Sequence, residues 1–224
     1  MTAPESALTH LECTRCGTRY NADEVWRLSP CCVKPLYARY DLDAIRGVFQ
    51  PNTLIGRAPT LWRYAEVLPV RDARFRLTLG EGFTPLLPSA RLGEALGVPD
   101  LWIKDEGQNP TGSFKARGLA MAVARAWELG VGEVAIPSAG NAGSATAAYA
   151  AAAGIPAHIV VPSDTPKPIL EETRALGADL ELIEGLITDA GARVAEGARQ
   201  HGWFDLSTLK EPYRVEGKKT MGYE

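Results

Sequence analysis

From about residue 79 onward, short apolar runs alternate with longer stretches in which apolar residues recur at helical spacing. The helix predicted after Lys115 runs to about Leu129 with one apolar face, and Gly130 ends it. The same reasoning predicts strands at 101–104, 133–137, 157–161 and 179–183, helices at 142–153, 166–176 and 189–201, and a last edge strand at 203–205. Three strand–helix units with short connections predict an α/β fold, in which helices cover a parallel sheet and ligands bind at the carboxyl ends of its strands.

The first 78 residues follow a different pattern. Residues 1–40 form a cysteine-bearing segment that ends in a strand predicted at 36–40, and residues 41–78 are predicted to be an irregular connection with short helices, because Pro51, Pro59 and Pro69 limit the length of its elements. Residues 79–224 form the α/β region, which includes a small βα domain at about 119–205. The chain stops within a helical pattern at 218–224 that has no cap and no closing glycine, so we expect the α/β region to be incomplete at its C-terminus.

The composition excludes several classes of protein. With 46% hydrophobic and 23% charged residues among 224, the chain can bury an ordinary globular core and is not disordered. The formal net charge is −3 and basic residues form no cluster, so we expect a small-molecule partner rather than nucleic acid. Residues 1–6 lack the basic and apolar regions of a leader, and no apolar run is long enough to span a membrane, so we expect a cytoplasmic protein.

All four cysteines lie between residues 13 and 32, a clustering that favours metal over disulfides. Cys13 and Cys16 have knuckle-like spacing, and Cys31 and Cys32 follow after fourteen intervening residues, as in a zinc ribbon. The second pair is irregular, because a ribbon usually repeats the two-residue gap and Ser29 takes that position here. Two interpretations stay open: a structural zinc ion held by these four cysteines, or a small lid whose thiols are reduced and unused.

Two motifs carry candidate chemistry. Lys115 follows the turn-forming segment 109–114 (NPTGSF) at the predicted start of a helix, where the helix dipole and partial burial both disfavour its ammonium form. A neutral amine of this kind suits Schiff-base chemistry with pyridoxal phosphate (PLP). A second turn, 138–143 (SAGNAG), precedes another predicted helix and can hold an anion there, while Asn141 can either cap that helix or donate to a cofactor oxygen. The alternative is that the glycines of this turn serve only close helix packing.

These motifs, together with 80–86 (GEGFTPL) and Lys104, resemble the threonine synthases and, more broadly, the fold-type II PLP enzymes of the tryptophan synthase β-like group. The resemblance covers residues 79–224, and a cysteine-bearing leader also occurs in some threonine synthases. It implies parallel sheets flanked by helices and a PLP-dependent conversion of O-phosphohomoserine and water to threonine and phosphate. It also implies a homodimer.

The resemblance further implies a role for each matching residue. Lys115 would bind PLP as a Schiff base and move protons between Cα and Cβ of the substrate. Phe114 and Asn141 would contact the cofactor, with Asn141 hydrogen-bonded to the pyridine 3′-oxygen. The substrate carboxylate would be held by Ser138, Gly140 and Ala142, and the substrate phosphate by Lys104 and Arg214.

The chain departs from the family pattern at three points. Ala116 follows the lysine where aspartate is usual, the asparagine–serine pair expected ahead of Arg214 is absent, and no glycine-rich loop for the PLP phosphate is found up to residue 224. Two alternatives therefore stay open. One is a PLP-dependent serine or threonine dehydratase, and the other is a truncated, non-catalytic homologue.

Overall fold

The computed structural model describes residues 5–224, and within that range the strands form three sheets. Residues 1–4 lie outside the described part. The start of the predicted segment 1–40, and the N-terminus that is predicted to lack a leader, therefore also lie outside it. The strands are β1 (Leu8–Cys13), β2 (Arg19–Asn21), β3 (Leu36–Tyr40), β4 (Leu86–Pro88), β5 (Trp102–Lys104), β6 (Val134–Pro137), β7 (Ala157–Pro162), β8 (Asp179–Ile183) and β9 (Phe204–Asp205).

The helices connect and cover these strands. The α-helices are α1 (Leu42–Ile45), α2 (Pro51–Leu54), α3 (Ala90–Leu96), α4 (Lys115–Glu128), α5 (Asn141–Ala153), α6 (Lys167–Ala175), α7 (Ile187–Gln200) and α8 (Arg214–Lys218). Short 3-10 helices occur at Leu61–Val67, Ala73–Phe75, Glu106–Gln108, Pro110–Gly112 and Lys219–Gly222. Among residues 5–224, none of the helices combines the length and the apolar character needed to cross a membrane.

Most predicted elements of the α/β region are observed within two residues of their predicted bounds. The terminal helix is the exception, because α8 begins at Arg214 rather than near residue 218. Its early start has a local cause: the Glu211 carboxylate accepts hydrogen bonds from the backbone amides of Tyr213 and Arg214, which are otherwise unpaired at a helix N-terminus. The sequence patterns also missed the short strand β4 and the helix α3.

The N-terminal segment is a three-stranded antiparallel sheet in the order β2-β1-β3. Leu11 and Cys13 of β1 are buried and Glu12 between them is more exposed, which is the alternation of a strand with one face on a core. Leu8 is buried as well, because the register against β3 shifts between Leu8 and His10. The connection after β3 contains the short helices that its prolines predict, and its 3-10 helix Leu61–Val67 is largely buried.

The predicted parallel sheet is present, with the strand order β8-β7-β6-β9 and β9 at one edge. Side chains alternate between its two faces. Val134 and Ile136 join the main core with residues of α4 and α5, whereas Ala135 and Val160 form a second cluster with Val194 of α7. Helices therefore cover both faces, as short connections between parallel strands require.

Helix α8 crosses α4 where two glycines face each other's backbone. A Cβ added at Gly217 would lie 1.9 Å from the carbonyl oxygen of Arg117, and one added at Gly118 would lie 3.0 Å from that of Arg214. Only glycine permits such a close approach of two helices. The crossing places Arg214 and Lys218 of α8 beside the first turn of α4, where Lys115 is found.

Candidate active site

Lys115 is the first residue of α4, as predicted. The turn before it contains two residues with left-handed backbone, Thr111 (φ 58°) and Gly112 (φ 64°), and is closed by Ser113, whose Oγ accepts a hydrogen bond from the Lys115 amide at 3.3 Å. The positive φ is unusual for threonine. This turn sets the direction in which the chain enters the helix and so positions the lysine at its N-terminus.

The Lys115 amine lies 3.9 Å from the centroid of the Phe114 ring, and Nζ has no hydrogen-bond or ion-pair partner among residues 5–224. Burial lowers the pKa of this amine, and the positive charge of Arg214 lowers it further. Both effects increase the fraction of neutral amine at physiological pH. A lowered pKa is one property that nucleophilic lysines share.

The glycine turn lies at the carboxyl end of β6, between that strand and α5. The Ser138 hydroxyl organises it: Oγ donates to the carbonyl of Gly140 at 3.0 Å and accepts from the amide of Gly143 at 2.9 Å. A Cβ added at Gly143 would lie 3.0 Å from Ile159, which explains that glycine by packing. Close helix packing thus explains why residue 143 is glycine. It does not explain Gly140, because the space that a Cβ would occupy there is open.

The residues at this turn fit a pyridoxal group. The backbone amides of Asn141 and Ala142 and the side chain of Asn141 have no hydrogen-bond partner within the described chain. Thr111 Oγ1, in the turn before Lys115, is buried and likewise unpaired. Because α5 packs against both α4 and the 3-10 helix Pro110–Gly112, these unpaired donors and the Lys115 amine belong to one region of the molecule. Such a region suits an aromatic aldehyde that carries oxygen acceptors.

Arg214 is buried at the start of α8, and one of its amino groups donates to the carbonyl of Leu206, while its Nε has no partner. Burial lowers the pKa of this guanidinium, although the negative charges of Glu211 and Asp205 oppose the effect. Gly118 of α4 lies against the backbone of Arg214, so the structure brings Arg214 to the first turn of α4, where Lys115 is found.

The structure places Lys104 in a network of charged groups. Its Nζ lies 2.7 Å from Oε2 of Glu224 and 2.6 Å from Oγ1 of Thr84. Thr84 and Glu224 also contact the guanidinium of Arg117, two residues after Lys115. Thr84 and Glu224 thus link Lys104 to Arg117 in the first turn of α4, and the Lys104 amine is already paired with the Glu224 carboxylate.

Arg117 is the centre of this network and was not among the predicted site residues. Its side chain is fully buried and forms two hydrogen bonds to each of two carboxylates, Glu106 and Glu224, at 2.7–2.8 Å. Burial lowers the pKa of Arg117, but the hydrogen bonds to Glu224 and Glu106 outweigh it and raise the pKa. An arginine inside an otherwise apolar helix was the only sequence signal for this network. The sequence does not identify the partners of Arg117, because Glu106 and Glu224 are 11 and 107 residues away.

The four cysteines form a separate cluster in the N-terminal segment. The Sγ atoms of Cys13, Cys16, Cys31 and Cys32 all lie within 4.8 Å of one another, and those of Cys16 and Cys31 are 3.4 Å apart. The irregular spacing of Cys31 and Cys32 therefore does not prevent the four sulfur atoms from lying close together.

Comparison with known proteins identifies relatives of this chain. The threonine synthase of Methanosarcina acetivorans is 40% identical over 217 residues, which cover 96% of this chain and 52% of that protein. The threonine synthase of Methanocaldococcus jannaschii is 36% identical over 214 residues, which cover 95% of this chain and 52% of that protein. The chain spans about half the length of these curated relatives.

Solved structures and a family profile agree with this similarity. Maize serine racemase superposes with a TM-score of 0.58 at 26% identity, covering 62% of this chain and 43% of that one. The processed form of threonine deaminase isoform 2 from Solanum lycopersicum gives 0.57 at 27% identity, covering 62% and 39%. The profile described as pyridoxal-phosphate dependent enzyme matches residues 77–224, which include Lys115 and the glycine turn. The chain therefore belongs to the pyridoxal-phosphate-dependent enzyme family, with the fold-type II architecture that its sequence motifs imply.

Proposed function

We propose that this chain is the lysine-bearing portion of a threonine synthase, which converts O-phosphohomoserine and water to threonine and phosphate. The observation that carries the proposal is the 40% identity to a threonine synthase across 96% of the chain, with Lys115 unpaired at the start of α4. The reaction is a γ-elimination of phosphate followed by addition of water at Cβ, and it classes the protein as a carbon–oxygen lyase.

In this proposal Lys115 is the catalytic residue. Bound PLP supplies an electron sink for negative charge at the substrate carbons. The lowered pKa of Lys115 favours the amine form that would attach the cofactor and, once released, remove protons from Cα and Cβ of the substrate. Phosphate would leave Cγ, which takes up a proton, and after water adds at Cβ a proton would return to Cα. Phe114 lies beneath the amine and restricts where it can reach. Asn141, whose amide is unpaired, would donate to the cofactor's ring oxygen.

The substrate would be held by its two anionic ends. The unpaired backbone amides at the start of α5 suit the carboxylate, with Ser138 keeping Gly140 and Ala142 in position through its hydrogen bonds to the turn. Arg214, whose Nε is unpaired, suits the phosphate. Lys104 stays a predicted phosphate ligand, and it would have to give up Glu224 to serve as one.

The proposal is tested by trapping and by turnover. The protein is incubated with PLP, reduced with borohydride and mapped by peptide mass spectrometry. We expect a pyridoxyl adduct on Lys115, no adduct at this position in Lys115→Ala, and an undiminished Lys115 adduct in Lys167→Ala, which removes an exposed lysine at the start of another helix, α6.

Threonine formed from O-phosphohomoserine supports the assignment. Keto acid formed instead from serine or threonine would identify a dehydratase, and PLP binding without turnover of either substrate class would identify a non-catalytic homologue.

We also propose that the cysteine cluster holds one structural zinc ion. A tetrahedral site with four zinc–sulfur bonds of about 2.3 Å separates its sulfur atoms by about 3.8 Å. The mutual distances within 4.8 Å, with 3.4 Å for Cys16 and Cys31, are close to that geometry. The ion would join the turn after β1 to the loop before β3, in a segment with few other buried residues.

Zinc content decides between the metal and the reduced thiols. We expect about one zinc per chain by elemental mass spectrometry, and loss of the ion in Cys32→Ser. Ser29→Ala is the matched control, because it removes a neighbouring hydroxyl 3.2 Å from the Cys13 sulfur but no predicted ligand. Metal-free protein that tolerates a chelator without loss of stability would instead support the reduced-thiol interpretation.

We further propose a cytoplasmic homodimer that acts on a small amino-acid substrate and binds neither nucleic acid nor membrane. The net charge of −3 and the absence of a basic cluster support the last point. Sedimentation equilibrium measures the oligomeric state, and a monomer at micromolar concentration would contradict the homodimer.

A further inference from the structure

Two lysines and an arginine converge at the start of α4. Lys115 and Lys218 place their Nζ atoms 3.9 and 5.4 Å from the centroid of the same Phe114 ring, and Arg214 is close enough to lower the pKa of both amines. Lys115 belongs to α4, whereas Arg214 and Lys218 lie four residues apart on α8 and so on one face of that helix.

The position of Lys218 follows from the helix crossing. A Cβ added at Gly118 would lie 3.3 Å from Cε and 3.5 Å from Cγ of Lys218, so the lysine stem runs directly over this glycine. Gly118 is three residues after Lys115 and shares its side of α4. The stem of Lys218 is therefore directed toward the cofactor lysine by packing.

No carboxylate of the described residues forms a direct ion pair with this cluster. Within residues 5–224, neither Lys115, Lys218 nor Arg214 has an ion-pair partner within 4 Å. Burial lowers the pKa of Lys218, and repulsion from Arg214 and Lys115 adds to this effect. The negative charge of Glu211 opposes this lowering of the Lys218 pKa, and the oxygens of Glu211 accept hydrogen bonds from the backbone amides of Tyr213 and Arg214. Basic side chains that form no direct ion pair are complementary to a bound dianion.

We propose that Lys218, together with Arg214, binds the phosphate group of the substrate, in the role that the sequence motifs assign to Lys104. This inference rests on the proposed function, which requires a phosphorylated amino acid beside Lys115. Lys104 already contacts Glu224 and Thr84, whereas Lys218 has an unpaired amine. PLP also carries a phosphate monoester, so the experiment separates substrate phosphate from cofactor phosphate.

The test compares Lys218→Gln with Lys219→Gln. Lys219 is the adjacent residue, but its amine is paired with Glu216 and lies 4.1 Å from the ring centroid of Tyr40, so it serves as the matched control. With O-phosphohomoserine we expect Lys218→Gln to raise KM by about 10- to 100-fold, as loss of one charge-assisted contact predicts, while PLP affinity is retained. Lys218→Arg keeps the charge and is expected to restore most of the loss, and Lys219→Gln is expected to behave like the unaltered protein.

A second measurement does not depend on turnover. Inorganic phosphate is titrated into each protein and followed by phosphorus NMR, with circular dichroism as the check of folding. We expect phosphate to bind the unaltered protein and Lys219→Gln, and to bind Lys218→Gln at least about tenfold more weakly. Equal phosphate affinity and equal KM in Lys218→Gln overturn the inference, and so does a loss of PLP affinity instead, which would assign Lys218 to the cofactor phosphate. A protein that does not use O-phosphohomoserine refutes the proposed function, while the phosphate titration and the PLP affinity together still decide whether Lys218 binds a phosphate other than that of the cofactor.

Discussion

Gly217 lies against the backbone of Arg117, because a Cβ added at Gly217 would come within 1.9 Å of the Arg117 carbonyl oxygen and 2.9 Å of the Met121 Cβ. The obstacle is backbone in the interior of α4, which cannot move aside as the end of a flexible side chain can. Together with the contact of Gly118 against Arg214, this contact sets the distance between α4 and α8. The position of Arg214 and Lys218 relative to Lys115 depends on it.

Gly217→Ala is therefore expected to destabilise the protein. Overpacking of a tight core contact lowers the free energy of unfolding by about 1–3 kcal/mol, and a clash with backbone lies at the upper end of that range. Gly191→Ala is the control, since Gly191 lies within α7 and has no atom within 4 Å of an added Cβ, so alanine should be neutral or favourable there. Urea unfolding of both variants measures the difference, and equal stability would show that α8 does not pack on α4 as described.

Removal of the Arg117 charge is expected to be more severe. Arg117→Met leaves Glu106 and Glu224 facing each other without their shared partner, and breaking a buried ion pair from one side lowers the free energy of unfolding by about 3–5 kcal/mol. Arg174→Met removes an arginine from an exposed pair with Glu171 and should cause no measurable change. A loss below about 1 kcal/mol in Arg117→Met, measured by urea unfolding, would contradict the central place of this network.

Asn141→Ala is expected to weaken PLP binding or to alter the absorbance of the bound cofactor. The loss of one hydrogen bond corresponds to about 1–3 kcal/mol, or roughly 5- to 150-fold in the dissociation constant. Asn52→Ala changes an exposed asparagine in α2 and should leave cofactor affinity as it was. Fluorescence titration with PLP gives both values. Unchanged affinity and spectrum in Asn141→Ala would exclude the predicted contact with the ring oxygen.

Glu211 is expected to make stability depend on pH near neutrality. Burial raises the pKa of this carboxyl to about 7, although hydrogen bonds from the amides of Tyr213 and Arg214 oppose the shift. An unfolded chain loses the same proton near pH 4.3, so between about pH 4.3 and 7 the folded state holds a proton that the unfolded state lacks. Over this window the free energy of unfolding should fall as pH rises.

Glu211→Gln keeps an oxygen acceptor for the two amides and removes the titration. The free energy of unfolding of the variant should lack the pH dependence that Glu211 causes. The free energy of unfolding of Glu211→Gln minus that of the unaltered protein should therefore increase from pH 5 to pH 7. Urea unfolding at several pH values measures this difference. A difference that stays constant across the window would show that Glu211 titrates normally.

Local patterns account for most of the correct predictions. The start of α4 at Lys115 follows from turn-forming residues before an apolar helical face, and the turn at Ser138 follows from small residues between a strand and a helix. These signals act over a few residues, so they can be recognised in the sequence. The short strand β4 was missed because three residues, Leu86–Pro88, carry no detectable period.

The sequence by itself determined the α/β order, the family motifs and the position of Lys115 at the start of a helix, because backbone conformation and helix termini depend on neighbouring residues. Only the tertiary structure decided which distant charges meet. Glu224 pairs with Arg117 across 107 residues, Lys104 with Glu224 across 120, and Lys218 comes to rest beside Lys115 through contacts at Gly118 and Gly217. Such pairings are set by how closely two helices approach, and this distance is a property of the packed interior rather than of any one segment.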